Sequence, residues 1–113
     1  MSCLFCRIVA GEVPAKKVYE DDDLVVFEDI HPQAPMHVLV VPRTHVATLN
    51  ELDRSHDGLV GAMVRRGAAI AAERGYAEPG YRTVFNCNAG AGQTVFHLHL
   101  HVLGGRVLAW PPG

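Results

Sequence analysis

Three of the chain's seven histidines, His97, His99 and His101, occupy alternate positions in the stretch QTVFHLHLHVLGG. Leu98 and Leu100 fill the gaps. Strict polar/apolar alternation predicts a β-strand with one buried face, so the three imidazoles share one face and the leucines the other. Val102 and Leu103 carry the apolar run on to Gly104 and Gly105, which end it. A solvated strand face or a histidine-rich metal tract would also fit the pattern. Strand faces, however, seldom use His where Thr or Lys would serve.

The loop just upstream, NCNAGAGQT, sharpens the chemistry. Gly90 and Gly92 let the backbone approach a ligand without a Cβ in the way. Successive free N–H groups in such a loop form an anion nest, and Gln93 and Thr94 add side-chain donors. An anion cradle beside an imidazole suits phosphoryl chemistry. Neutral His can attack phosphorus and form a covalent intermediate that divides one hard step into two. The attacking ring must then keep its other nitrogen protonated and held by an acceptor. Neighbouring rings can relay protons or stabilise charge. A second cluster lies near the N-terminus, where Cys3 and Cys6 form a C-x-x-C pair. Three cysteines, an odd number, do not suggest a disulfide framework. The pair reads as metal ligands or a redox couple, and Cys87 as packing.

These groups need elements to position them. CLFCRIV reads as a short helical turn closed by Gly11 and Pro14. KKVYEDDDLVVFEDI predicts a hairpin around Asp21, Asp22 and Asp23. HPQAP breaks structure twice, and HVLVVP predicts a buried strand ended by Pro42. After a connection in which Ser55 or Asp53 could cap, the period changes to that of a helix from about Gly58 to Arg74. Leu59, Met63 and Ile70 form one stripe, with Val60, Val64, Ala68 and Ala71 beside it. Gly75 is a suitable left-handed stop. YRTVFNCN predicts one more strand before the histidine strand. The expected fold is α+β, residues 1–113 forming one domain: about five mostly antiparallel strands, one long helix on one face and a short N-terminal helix. The long helix is either a wide core helix or one that keeps apolar surface for a second subunit.

Composition narrows the classes. Hydrophobic residues make up 49% of the 113, charged residues 19%, and the formal net charge is −2. That balance does not suit a nucleic-acid binder. No apolar run approaches the roughly 18 residues of a membrane span, and the N-terminus lacks a long signal-peptide core, so the expected location is cytoplasmic.

QTVFHLHLHVLGG resembles the signature of the histidine triad (HIT) superfamily, His-φ-His-φ-His-φ-φ with φ apolar. VPAK, VFEDIHPQAPMHVLVVP, HVLGGR and the terminal WPPG extend the resemblance over nearly the whole chain, toward the Hint branch of purine nucleoside phosphoramidases in its bacterial form. The resemblance implies hydrolysis of the P–N bond of nucleoside 5′-phosphoramidates, such as adenosine 5′-monophosphoramidate. It also implies a purine nucleotide as substrate and a homodimer whose sheets join. His99 would be the nucleophile. His101 would orient the phosphate and assist the leaving group, and His37 would be a fourth active-site histidine. Gln93 and Thr94 would hold phosphate oxygens, with Asn86 close by. Asp29 would accept from the ribose hydroxyls. Phe5, Ile8, Phe27 and Ile30 would wall the base, although plain core packing explains Phe5 and Ile8 as well. Trp110 would sit in a tail that reaches toward the partner's site.

Bacterial relatives with a C-x-x-C pair imply one structural zinc per chain, held here by Cys3, Cys6, His45 and His97. The chemistry itself needs no cofactor. If zinc binds, His97 is structural rather than catalytic. If it does not, Cys3 and Cys6 are reduced, unliganded residues. Two other functions compete with the phosphoramidase: a nucleotide-binding or scaffold module, and a dinucleoside polyphosphate hydrolase.

Overall fold

Asp21 opens the first turn of the sheet. Its carboxylate accepts the N–H groups of Asp23 and Leu24, both at 2.8 Å, and so folds the acidic stretch back on itself. The computed structural model describes residues 3–113. The turn joins β1 (Lys17–Glu20) to β2 (Leu24–Glu28), and β3 (Met36–Pro42) follows. Then come the long helix α2 (Asp57–Glu73), β4 (Tyr81–Val84) and β5 (Leu100–Gly104), with α1 (Leu4–Val9) preceding them all. The strands lie in the order β1-β2-β3-β5-β4 and every pairing is antiparallel.

β3 is central and all seven of its residues are buried. Its unbroken apolar run fits a strand covered on both faces. On one face, Met63, Ile70 and Ala71 of α2 pack against Val26, Val38, Val40, Leu98, Leu100 and Val102. On the other, Phe5 and Ile8 of α1 pack against Val25, Phe27, Leu39 and Val41. The α+β fold and its two unequal helices are as the pattern predicts. Asp53, rather than Ser55, is the cap. It accepts the Ser55 N–H, and His56 Nδ1 accepts the Asp53 N–H in return, in a 3₁₀ turn that leads into α2. Gly75 ends the helix at φ +86°.

Two expectations need correction. The histidine strand is shorter than its alternation suggests, because the ladder holds only from Leu100 to Gly104. His97 and His99 precede it in irregular, unpaired chain that bends at residues 95–97, where the Leu98 N–H donates to the Val46 carbonyl at 2.6 Å instead of to a neighbouring strand. The alternation still sorts the faces: Leu98, Leu100 and Val102 point to α2, and the histidines to the α1 side. β4 likewise stops at Val84, short of the predicted run to Asn88, because its partner β5 begins only at Leu100. Among the described residues no helix is long and apolar enough to cross a membrane.

Gly67 sets how closely α2 approaches the sheet. A Cβ there would stand 3.0 Å from Val102 Cγ2 and 3.5 Å from Leu100 Cδ2. Gly67→Leu keeps helix propensity high but overfills this contact. We expect a loss of about 1–3 kcal/mol in urea unfolding, and an unchanged midpoint would contradict the packing.

Candidate functional site

The sheet's α1 side carries a cleft of about 320 Å³. Phe5, Ile8, Val13, Phe27 and Leu39 form its apolar floor, and His99, His101, Asp29, Asn86 and Thr94 its polar rim. That mixture suits a small-molecule site. A larger, more open cleft of about 650 Å³ lies between the end of α2, β4 and the tail, but no histidine or cysteine lines it. The chemistry therefore belongs to the smaller one.

Strand pairing aligns the imidazoles. β3 and β5 set Leu39 opposite His101 and His37 opposite Leu103, which leaves His37 and His101 diagonal neighbours on one face. His37 Nδ1 accepts the Gln33 backbone N–H at 3.0 Å, so its proton sits on Nε2. That N–H faces His101 Nδ1 at 2.9 Å, and Asp29 Oδ2 lies 3.4 Å from the same nitrogen. His101 then carries its own proton on Nε2. His99 is set differently: its Nδ1–H donates to the His97 carbonyl at 2.7 Å. Its Nε2 is thereby left with a free lone pair. The Phe5 ring meets His99 edge-on at 5.0 Å, and the His101 ring centre is also 5.0 Å away.

Burial keeps these rings neutral. It pushes His37 and His99 below the ordinary histidine value, against the pull of the Asp29 carboxylate. His101 is pushed down to about 4, first by burial and then by the neighbouring His99 and His37. A neutral ring is the form that attacks or relays.

His97 faces elsewhere. It is fully buried, and its Nε2–H donates to the Pro42 carbonyl at 2.7 Å. Its Nδ1 lone pair looks at Cys3 Sγ at 3.4 Å, Cys6 Sγ at 3.5 Å and His45 Nδ1 at 3.1 Å. His45 Nδ1 is also 3.4 Å from Cys6 Sγ, and all four donor atoms lie within 4.8 Å of one another. The edges of a zinc tetrahedron with S and N ligands measure about 3.3–3.8 Å, so the donor set fits that ion. Burial lowers the His97 pKa, which keeps the imidazole in the form a metal needs. Burial, with Cys3 beside it, pushes the Cys6 thiol up.

The structure brings Phe5, Ile8, Phe27, Asp29, Ile30, Asn86, Thr94, His99 and His101 to one cleft, although Ile30 is 85% exposed at its lip. It does not bring Gln93 or Trp110 there. Gln93 is buried, its Oε1 accepting the Asn88 N–H and its Nε2 donating to the carbonyls of Ala47 and Val95. No donor remains for a phosphate, since the side chain stands in for missing sheet bonds. Trp110 is 81% exposed outside the cleft, on a tail held by Arg82, which donates to the Leu108 and Ala109 carbonyls. Sequence reasoning missed the Gln33 N–H, a backbone group with no signature, and His31 at the rim.

A small α+β domain with neutral imidazoles lining an apolar cleft is the histidine triad class of protein. The family model described as "Scavenger mRNA decapping enzyme C-term binding" matches residues 2–107. The chain belongs to the HIT family of hydrolases. It is 43% identical over 105 residues to the purine nucleoside phosphoramidase of Escherichia coli, covering 93% of this chain and 88% of that one. The crystal structure of a HIT family hydrolase from Legionella pneumophila superposes with a TM-score of 0.98 at 48% identity, covering 99% of this chain and 100% of that one. A zinc-bound histidine triad family protein from Mycobacterium smegmatis superposes at 0.80 with 38% identity, covering 94% and 76%.

The depressed His101 and His37 values have a consequence for stability. Each ring binds a proton more readily unfolded, at about 6.5, than folded. Their contribution is full above about pH 6.5 and is lost as pH falls toward the folded His101 value of about 4. Melting temperatures measured from pH 7.5 to 4.5 should therefore fall less steeply for His101→Asn than for the parent. Parallel curves would contradict the assignment.

Proposed function

We propose that the protein hydrolyses the P–N bond of nucleoside 5′-phosphoramidates through a nucleotidyl-histidine on His99. One observation carries the reading: the His97 carbonyl holds the His99 Nδ1–H and leaves Nε2 as a nucleophile beside the cleft. The apolar floor around Phe5 and Phe27 suits a flat base, and the Asp29 carboxylate suits ribose hydroxyls. The same kind of substrate is named for the Escherichia coli relative. His99 Nε2 attacks phosphorus and the P–N bond breaks. The His37–His101 pair, which takes up one proton together with the anionic substrate, hands the leaving amine a proton from His101 Nε2 and is left neutral. Water then attacks the same phosphorus, frees His99 and returns a proton to His101. The net products are a nucleoside monophosphate and an amine. Thr94 and Asn86 are the neutral side-chain donors at the rim for phosphate oxygens.

Cys3, Cys6, His45 and His97 would hold one zinc ion, whose contribution is structural: it would fasten α1 and His97 to the sheet. His97 is then a ligand and takes no part in proton relay. Three free thiols suit a reducing compartment. A second copy would complete the molecule. β4 is an edge strand, and Val64 of α2 keeps 44% of its surface exposed, so both offer surface to a partner. Light scattering at twice the 12.3 kDa chain mass would support the homodimer, and a monomer would refute it.

His99→Ala should lower turnover by about 10⁴-fold or more while the fold survives. Denaturing quench of a single turnover at alkaline pH, followed by intact-mass measurement, should show one nucleotide on the parent chain and none on the variant. Tight nucleotide binding with no adduct and no turnover would favour a binding module instead. Faster hydrolysis of dinucleoside polyphosphates than of phosphoramidates would shift the substrate class.

Protein purified without added zinc should hold about one equivalent per chain. Cys3→Ser together with Cys6→Ser should remove the metal and lower the melting temperature. Metal-free parent protein of equal stability would refute the zinc reading.

A further inference from the structure

We propose that the Cys3–Cys6–His45–His97 cluster is a positioning device for the attacking imidazole: zinc fixes His97, and His97 fixes His99. The proposal rests on the reading that zinc binds the cluster and that His99 attacks.

His97 faces two sites at once. Its ring is clamped between the Pro42 carbonyl and the other three donors of the cluster. Its main-chain carbonyl accepts the His99 Nδ1–H at 2.7 Å. In most strands a ladder would hold that carbonyl, but β5 begins only at Leu100. The backbone at His97 is instead held by its own ring and by the neighbouring Leu98 N–H on Val46. Orientation of the nucleophile therefore depends on where the His97 ring is held. A second contact runs in parallel. The main-chain bonds of α1 shown by the structure are local to the helix and its exit turn. Its links to the rest of the chain include Cys3 and Cys6 toward the cluster, and Phe5 and Ile8 packed on the sheet at the cleft. Phe5 touches both centres, 6.1 Å from His97 and 5.0 Å from His99 in ring separation.

Without a cation the cluster is held only by weak thiol and imidazole contacts. With the His97 proton committed to Pro42, its Nδ1 lone pair faces His45 Nδ1 at 3.1 Å and two sulfur atoms. A metal displaces the thiol protons and replaces these contacts with four bonds. In its absence the His97 ring keeps the Pro42 bond and only weak contacts to sulfur on its other side, so it turns more freely and shifts the carbonyl. His99 then loses its acceptor, and part of the population carries the proton on Nε2, where it cannot attack. Since kcat follows the fraction that keeps Nδ1–H, a mixture of tautomers should lower it by a few-fold up to about tenfold, the low end of outer-shell effects. AMP affinity, set mainly by the cleft floor, should change less than about threefold.

The test is to strip the protein with a chelator at neutral pH and to compare it with zinc-reloaded protein. His45→Gln at limiting zinc serves as a second route, because His45 is exposed and its replacement leaves the core intact. Imidazole ¹⁵N spectra should show His99 as a single Nδ1–H tautomer with zinc and as a mixture without it. The kcat loss should follow the Nε2-protonated fraction, and zinc should restore both. Zinc uptake with His99 signals and kcat indifferent to the metal would overturn this proposal alone. Failure to take up zinc at all would overturn the metal reading and this proposal with it.

Discussion

The antiparallel pairing of β3 with β5 governs this molecule. It sets His37 and His101 within hydrogen-bond reach, joins the two halves of the sheet, and buries all of β3 and the α2-facing residues of β5. Side chains alternate along a strand, so a one-residue slip of β3 or β5 would turn His37 or His101 toward α2 and Val38, Val40 or Val102 toward the cleft. The two apolar layers forbid that slip. Val38 and Val40 belong against Met63 and Ile70, while Leu39 and Val41 belong against Phe5 and Ile8.

Burial that stabilises the sheet also prepares the chemistry. Removing imidazoles from water disfavours their charged form, and the fold uses this to hold His37, His99 and His101 neutral in a small space. Each ring then needs a partner for every buried nitrogen. Backbone groups supply most of them: the Gln33 N–H, the Pro42 carbonyl and the His97 carbonyl. Among the described residues no buried side-chain nitrogen or oxygen lacks a partner. Tautomers are thus fixed by main chain, which has no rotamers to lose.

The segment before β5 shows how side chains replace a ladder. Gln93 spends its carbonyl and both amide hydrogens on backbone groups, which holds the glycine loop beside the cleft. Val46 and Pro42 take the next two bonds, from the Leu98 N–H and the His97 ring. Freed from a neighbouring strand, this stretch can turn one histidine to the cluster and the next to the cleft. A regular strand would have presented both to the same place.

Hydrophobic period together with turn and stop residues, read along the sequence, determined the hairpin at Asp21–Asp23, the buried β3, the limits of α2 to within a residue or so, and the face on which the histidines lie. Those features depend on local backbone geometry and on which side chains avoid water, both written in consecutive residues. The residues of the cleft and of the four-donor cluster were also legible, through their resemblance to a family signature. Tertiary structure decided the rest. Only the folded chain shows that Gln93 is consumed by Asn88, Ala47 and Val95, that the Gln33 N–H sets the His37 tautomer, and that His97 serves the cluster with its ring and His99 with its carbonyl. These are contacts made largely by main-chain groups or between residues far apart in sequence. A backbone N–H or C=O is the same at every position, so no pattern of side chains can announce which one a distant ring will find.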